Sequence, residues 1–120
     1  MATFSKTILS QSSDGRGVLV RATATAGTLI HTGSTTATTI DEVWLYAVNT
    51  SASDVKLTIE WGEATAPNGN IEYTVKAENG LYLIVPGLLI KGNATALTIK
   101  AFAATGNVIV LHGYVNKITA

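Results

Sequence analysis

The chain has no cysteine, two prolines and one methionine in 120 residues, and only 13% of it is charged. Without cysteine there is neither a disulfide framework nor a thiolate metal site. A charged fraction well under the usual quarter leaves few groups to solvate the outside. Part of that outside is therefore expected to be covered by something other than water. Eight bases balance eight acids, and without a concentrated basic face no binding to nucleic acid through phosphates is expected. No stretch approaches the roughly 20 apolar residues of a membrane-spanning helix. The opening "MATFSKTILSQSSDG" has one Lys and no long apolar run, so it is not read as a secretory signal. Helical periodicity is missing as well, since no window of a dozen residues repeats its apolar positions with a 3.6-residue period.

What is present is Thr, Val and Ile in short alternating runs, broken by turn residues every 8 to 12 positions, roughly, which reads as all-β. The clearest strand is "DVKLTIEW", with Val55, Leu57, Ile59 and Trp61 inward and Lys56, Thr58 and Glu60 on a wet face. After the Pro67 and Asn68-Gly69 turn, "IEYTVKA" alternates again, and Tyr73 shares parity with the core. "LYLIV" is expected to end at Pro86-Gly87, with "LLIK" as a separate strand, followed by "TALTIKAFA" and "VIVLHGYVNKI". Upstream, "GVLVRAT" and "GTLIHT" are shorter strands. The expectation is one antiparallel β-sandwich, jelly-roll-like, of about 8–10 short strands. It divides into a short N-terminal arm, residues 1–13, and a single domain, residues 14–120, with the boundary near Ser13-Asp14-Gly15. Phe4 and Thr7-Ile8-Leu9 in the arm are strand-like and suited to an edge strand of the same subunit or of a neighbour.

"VWLYAV" breaks the alternation. Val43, Leu45 and Ala47 point one way and Trp44, Tyr46 and Val48 the other, and both faces are apolar. "LYLIV", with Tyr82 and Ile84, and "VIVLHGYV" share this property. Half-exposed strands of this kind leave a patch of the size that marks an interaction surface. A subunit contact involving Trp44, Tyr46, Val48, Tyr82 and Ile84 is the favoured cover, because "VWLYAV" lacks the polar neighbours of a sugar platform. A wrap by the chain's own arm is the competing explanation.

Catalytic groups are sparse. His31 and His112 lie on different expected strands, with no clustered carboxylate to complete a zinc site. Each is read as a hydrogen-bonded packing residue. Asp41-Glu42 is read as solubilising charge before a hydrophobic strand, and Glu60 and Glu63 as surface carboxylates rather than an acid/base pair. No Gly-x-Ser-x-Gly elbow, calcium loop or phosphate-cradling loop occurs. The chain is not expected to be an enzyme or to need a cofactor or metal. The triplets at Asn49 and Asn93 are turn chemistry rather than glycosylation sites.

The Thr/Ala-rich start, the run "GTLIHTG…TTIDEVWLYAVNTSASDVKLTIEWG", "GLYLIVPGLLIKGNATALTIKAFA" and the closing "NVIVLHGYVNKI" resemble small virion proteins of tailed bacteriophages over roughly residues 27 to 118. The resemblance implies a capsid decoration, or cement, protein: a non-enzymatic β-protein, often a homotrimer, made in the bacterial host cytoplasm and seated on the capsid surface. It implies the major capsid protein as partner, with Lys6, Arg16 and Arg21 of the mildly basic N-terminal region toward the shell. Residues 1 to 40 carry these three bases against Asp14. The rival expectation is a carbohydrate- or receptor-binding module of a head fibre or tail adhesin, with Trp44, Tyr82 or the "EATAPNGN" loop facing a glycan.

Overall fold

The computed structural model describes residues 2–120. Among these residues, nine strands form two antiparallel sheets: β1 (Thr3–Ile8), β2 (Val18–Val20), β3 (Thr28–Thr32), β4 (Thr39–Asn49), β5 (Val55–Trp61), β6 (Asn70–Val75), β7 (Tyr82–Lys91), β8 (Thr98–Ala103) and β9 (Ile109–Thr119). The five-stranded sheet has the order β1-β9-β4-β7, with β2 also paired to β9, and the four-stranded sheet the order β3-β8-β5-β6. From β2 onward the pairs β2·β9, β3·β8, β4·β7 and β5·β6 are nested, the first strand with the last and so inward to the β5–β6 hairpin.

Alternation drives the packing, since every second side chain of a strand faces the other sheet. Val43, Leu45 and Ala47 of β4, Leu57 and Ile59 of β5, Ile99 and Ala101 of β8, and Ile109, Leu111 and Val115 of β9 are fully buried between the sheets. Each leucine or isoleucine so enclosed contributes roughly 1.5–3 kcal/mol relative to an exposed position. Trp61 and Tyr73 share the inward parity but sit at the periphery and are only half-buried.

Two expectations about the strands are overturned. "YLIVPGLLIK" is one strand rather than two, because β7 lies at the edge of its sheet, where a proline forfeits no ladder bond. The register with β4 shifts on both sides of the proline, between Val43 and Trp44 and between Leu45 and Tyr46, and Gly87 takes a left-handed φ of 77° at the first shift. The outward side of β5 is wet only at Lys56. Thr58 and Glu60 are buried, Glu60 to 2% exposure. The loop between β2 and β3 supplies its partners: the Gly27 N–H donates to Glu60 Oε1 at 2.7 Å, and the Thr25 hydroxyl to Oε2.

Of the expected arm, residues 1–13, Thr3–Ile8 form β1, which pairs antiparallel with β9 of the same chain, Phe4 opposite Ile118 and Ile8 opposite Tyr114. Leu9 then turns into the core, and Asp14 and Gly15 take positive φ in the loop that returns to β2.

Candidate functional site

The outer face of the five-stranded sheet answers what lies over the second side of "VWLYAV". Cross-strand registers align its side chains in rows. Phe4, Ile118 and Ile40 form one, and Lys6, Asn116, Glu42 and Leu89 the next. Then come Ile8, Tyr114, Trp44 and Pro86, followed by His112, Tyr46 and Leu83, and finally Leu19, Val110 and Val48. Apolar and aromatic groups dominate every row except that of Lys6, Asn116 and Glu42. Trp44, Tyr46 and Val48 are half-buried by these lateral neighbours. Among the described residues, no second layer covers the platform as a whole. The approach to β2 does cross one corner, where a Cβ on Gly17 would lie 2.3 Å from a Val110 methyl and 2.8 Å from the His112 ring.

At the centre, the Trp44 and Tyr114 rings stack nearly parallel, 9° between planes and 5.9 Å between centroids. The Lys6 ammonium lies 4.9 Å from the Tyr114 centroid, a cation–π contact. Trp44 Nε1–H and Asn116 Nδ2–H both donate to Glu42 Oε1 at 2.8 Å. The indole donor first, then the amide, holds the Glu42 carboxyl below the ordinary glutamate value, so it is ionised at neutral pH. Glu42 is thus not a free solubilising charge but the polar anchor of the aromatic pair. A shallow groove of about 260 Å³ beside it is lined by Phe4, Ser5, Lys6, Glu42, Asn116 and Ile118. The indole also reaches sideways over β7, where a Cβ on Gly87 would stand 2.9 Å from its ring. Glycine at 87 makes that overlap possible.

The five residues expected at a subunit contact do not share one surface. Trp44, Tyr46 and Val48 lie on the outer face, whereas Tyr82 and Ile84 sit at the edge where β6 and β7 border the gap between the sheets. Tyr82 stacks on Tyr73 across this gap, centroids 5.0 Å apart. The neighbouring Tyr82 hydroxyl, the main cause, and burial raise the Tyr73 phenol above the ordinary tyrosine value. Ile84 lines an apolar groove of about 180 Å³ with Ile71, Pro86 and Leu88. The three basic residues expected at the shell are all exposed: Lys6 on β1, Arg16 in the loop before β2, and Arg21 just after it.

Asp41, read from sequence as solubilising, is 1% exposed. His31 Nε2–H donates to Asp41 Oδ2 at 2.8 Å, and Lys117 Nζ–H donates to Oδ1 at 2.9 Å. The Ser10 backbone N–H donates to His31 Nδ1 at 3.0 Å. An acceptor Nδ1 carries no proton, so the ring is the neutral Nε2–H tautomer. The group links β3, β4, β9 and the segment after β1. It resembles a Ser-His-Asp triad only in composition, because Ser10 offers His31 its backbone amide while its hydroxyl accepts from the Thr32 N–H. Among the described residues, no three His, Asp or Glu side chains are placed to hold a metal ion. Asn49 is buried, its amide donating to the carbonyls of Ser53 and Val75 and its oxygen accepting from Ser51.

Compared with known proteins, the chain matches no family model, and no curated protein or solved structure shows significant similarity to it.

Proposed function

We propose that this chain is a non-enzymatic structural protein that works by assembly, and that its role is that of a phage virion component decorating and stabilising a capsid as a homo-oligomer, a trimer. The single observation that carries the assembly reading is the outer face of the five-stranded sheet, apolar and aromatic across four strands around Trp44 and Tyr114. Covering about 500 Å² of such surface per subunit at roughly 25 cal/mol/Å² supplies on the order of 12 kcal/mol before association costs. The virion role rests on the sequence resemblance. In this reading Trp44, Tyr46, Val48, Tyr82 and Ile84 belong to subunit contacts, and Lys6, Arg16 and Arg21 face the shell. The nested pairing of β2 through β9 supports a jelly roll, in which a long hairpin is wound so that its strands alternate between two sheets.

One observation favours a second reading, a glycan-binding module. The aromatic pair does have polar neighbours after all, Glu42, Asn116 and Lys6, beside the shallow groove. Co-sedimentation with capsids of the virion that carries the protein, run alongside a panel of host-surface glycans, separates the two. The decoration reading predicts saturable capsid binding with no glycan retained. Saturable glycan binding abolished by Trp44→Ala, with no capsid binding, would replace it.

A further inference from the structure

We infer that copies of this chain join edge to edge, with strand β1 of one copy added antiparallel to strand β7 of the next. The inference rests on the assembly reading above and deepens it by naming the two surfaces that meet. All the large hydrophobic side chains that stand exposed among the described residues belong to two places. Phe4 (71%) and Ile8 (48%) are on β1; Leu81 directly precedes β7, and Tyr82, Leu83, Leu88 and Leu89 (54%) are on it. These are the two lateral borders of the five-stranded sheet. Elsewhere the surface is polar or half-covered; here the chain leaves apolar groups beside unpaired backbone, the condition under which a sheet edge recruits another strand.

Strand direction makes the match. Every step across β1-β9-β4-β7 is antiparallel, so β1 runs antiparallel to β7 within one chain. A second copy displaced sideways in the plane of the sheet therefore brings its β1 to β7 already antiparallel, with both outer faces on the same side. Phe4 and Ile8 then fall on the face that carries Leu83 and Leu89. The indole of Trp44, which already overlaps Gly87 of β7, lies within reach of their side chains. Tyr82 and Ile84 border the same junction, which gathers most of the residues assigned to subunit contacts although they occupy two surfaces of the single chain.

Like-with-like pairings fit less well. Two β1 strands can pair near their centre about Lys6, which sets Lys6 against Lys6, like charges directly opposite being unfavourable, or about Ser5, which sets each Lys6 opposite Phe4. Two β7 strands paired about theirs would bring together Pro86, which has no N–H, and the flanking register shifts. β1 has six residues with neither proline nor glycine. A β1-to-β7 contact is head-to-tail, so it closes into a ring or continues as a filament; a ring of three is the closed form that agrees with the proposed trimer.

The absence of native cysteine allows a direct test. Lys6→Cys is mixed with Leu83→Cys or Leu89→Cys, all on the outer face, and oxidised with glutathione disulfide, while sedimentation of the untreated chain reports assembly. The expected result is a mixed disulfide in at least tenfold excess over either homodimer in one of the two mixtures. An assembled chain whose cross-links are mainly Lys6→Cys with itself, or Leu83→Cys or Leu89→Cys with itself, overturns the β1–β7 contact while leaving the assembly reading standing. A monomer at every concentration overturns both. As a check without cysteine, Leu83→Lys/Leu89→Lys, with far-UV circular dichroism unchanged and the melting temperature unchanged at dilutions where the parent chain is monomeric, is expected to weaken association at least tenfold, and undiminished association contradicts the contact.

Discussion

The two long borders of the sandwich are finished in opposite ways. Where β1 and β2 meet β3, the chain closes the border itself. Leu9 fills the core, Ser10 bonds to His31 and Thr32, and the Asp41 carboxylate ties His31 to Lys117 across the two sheets. Where β6 and β7 meet, closure is partial: one tyrosine pair spans the gap, and beside it Ile71, Ile84 and Leu88 line an open apolar groove. A polar seam with all its bonds made is specific to one chain and needs nothing further. An apolar border loses free energy to water until something covers it. The contrast locates the open gap between the sheets at β7, beside the aromatic face; at the closed border only the outer edge of β1, with Phe4 and Ile8 exposed, is left uncovered.

The largest effect is expected at the closed border. Asp41→Ala removes the acceptor of both His31 and Lys117. Breaking a buried charged contact typically costs 3–5 kcal/mol, and partial access of Lys117 to water puts this case near the lower end, about 3 kcal/mol. Urea unfolding of the variant measures it; a loss below 1 kcal/mol would mean that the seam is not what holds this border. Glu60→Ala should follow, at about 2 kcal/mol, since it strips partners from the Gly27 amide and the Thr25 hydroxyl. Limited proteolysis should then cut the β2–β3 loop faster than in the parent chain.

At the open border the expected pattern reverses. Leu88→Ser/Leu89→Ser should change the unfolding free energy of the monomer by no more than about 0.5 kcal/mol, as usual for exposed positions, yet weaken association at least tenfold. Loss of stability without loss of association would erase the distinction between the two borders. On the face itself, Trp44→Ser/Tyr46→Ser should reduce the assembly state, read by light scattering.

The smallest effect sharpens the aromatic cluster. Because Trp44 and Asn116 hold the folded-state value of Glu42 below its unfolded value, the contribution of their bonds is present at neutral pH and is lost as pH falls through the lowered value. Trp44→Phe, which keeps a ring but not the donor, should move the Glu42 side-chain titration upward in a carbon-detected NMR experiment. An unmoved titration would show that the indole is not the main cause.

Strand parity was legible in the sequence because it is local: Val43, Leu45 and Ala47 are inward and Trp44, Tyr46 and Val48 outward, as alternation requires. The doubly apolar character of β4 marked the outer face for the same reason. What the sequence withheld were the partners that arrive from distant segments. Asp41 looked like surface charge because nothing within a few residues reveals that His31 and Lys117 converge on it. Glu60 looked wet because its cover comes from a loop more than 30 residues earlier in the chain. Pro86-Gly87 looked like a strand end because that pair usually breaks a strand, and only the edge position of β7 makes it tolerable. Tyr82 and Ile84 were grouped with Trp44 as doubly apolar, but the register shifts in β7 place them at the border instead.

Whether further copies of the chain cover the apolar face and the β7 border is read by sedimentation velocity of the purified protein over a wide concentration range. A discrete species of three times the 12.5 kDa chain mass is expected, dissociating on dilution and lost in Leu83→Lys/Leu89→Lys. A single 12.5 kDa species at every concentration would contradict such cover.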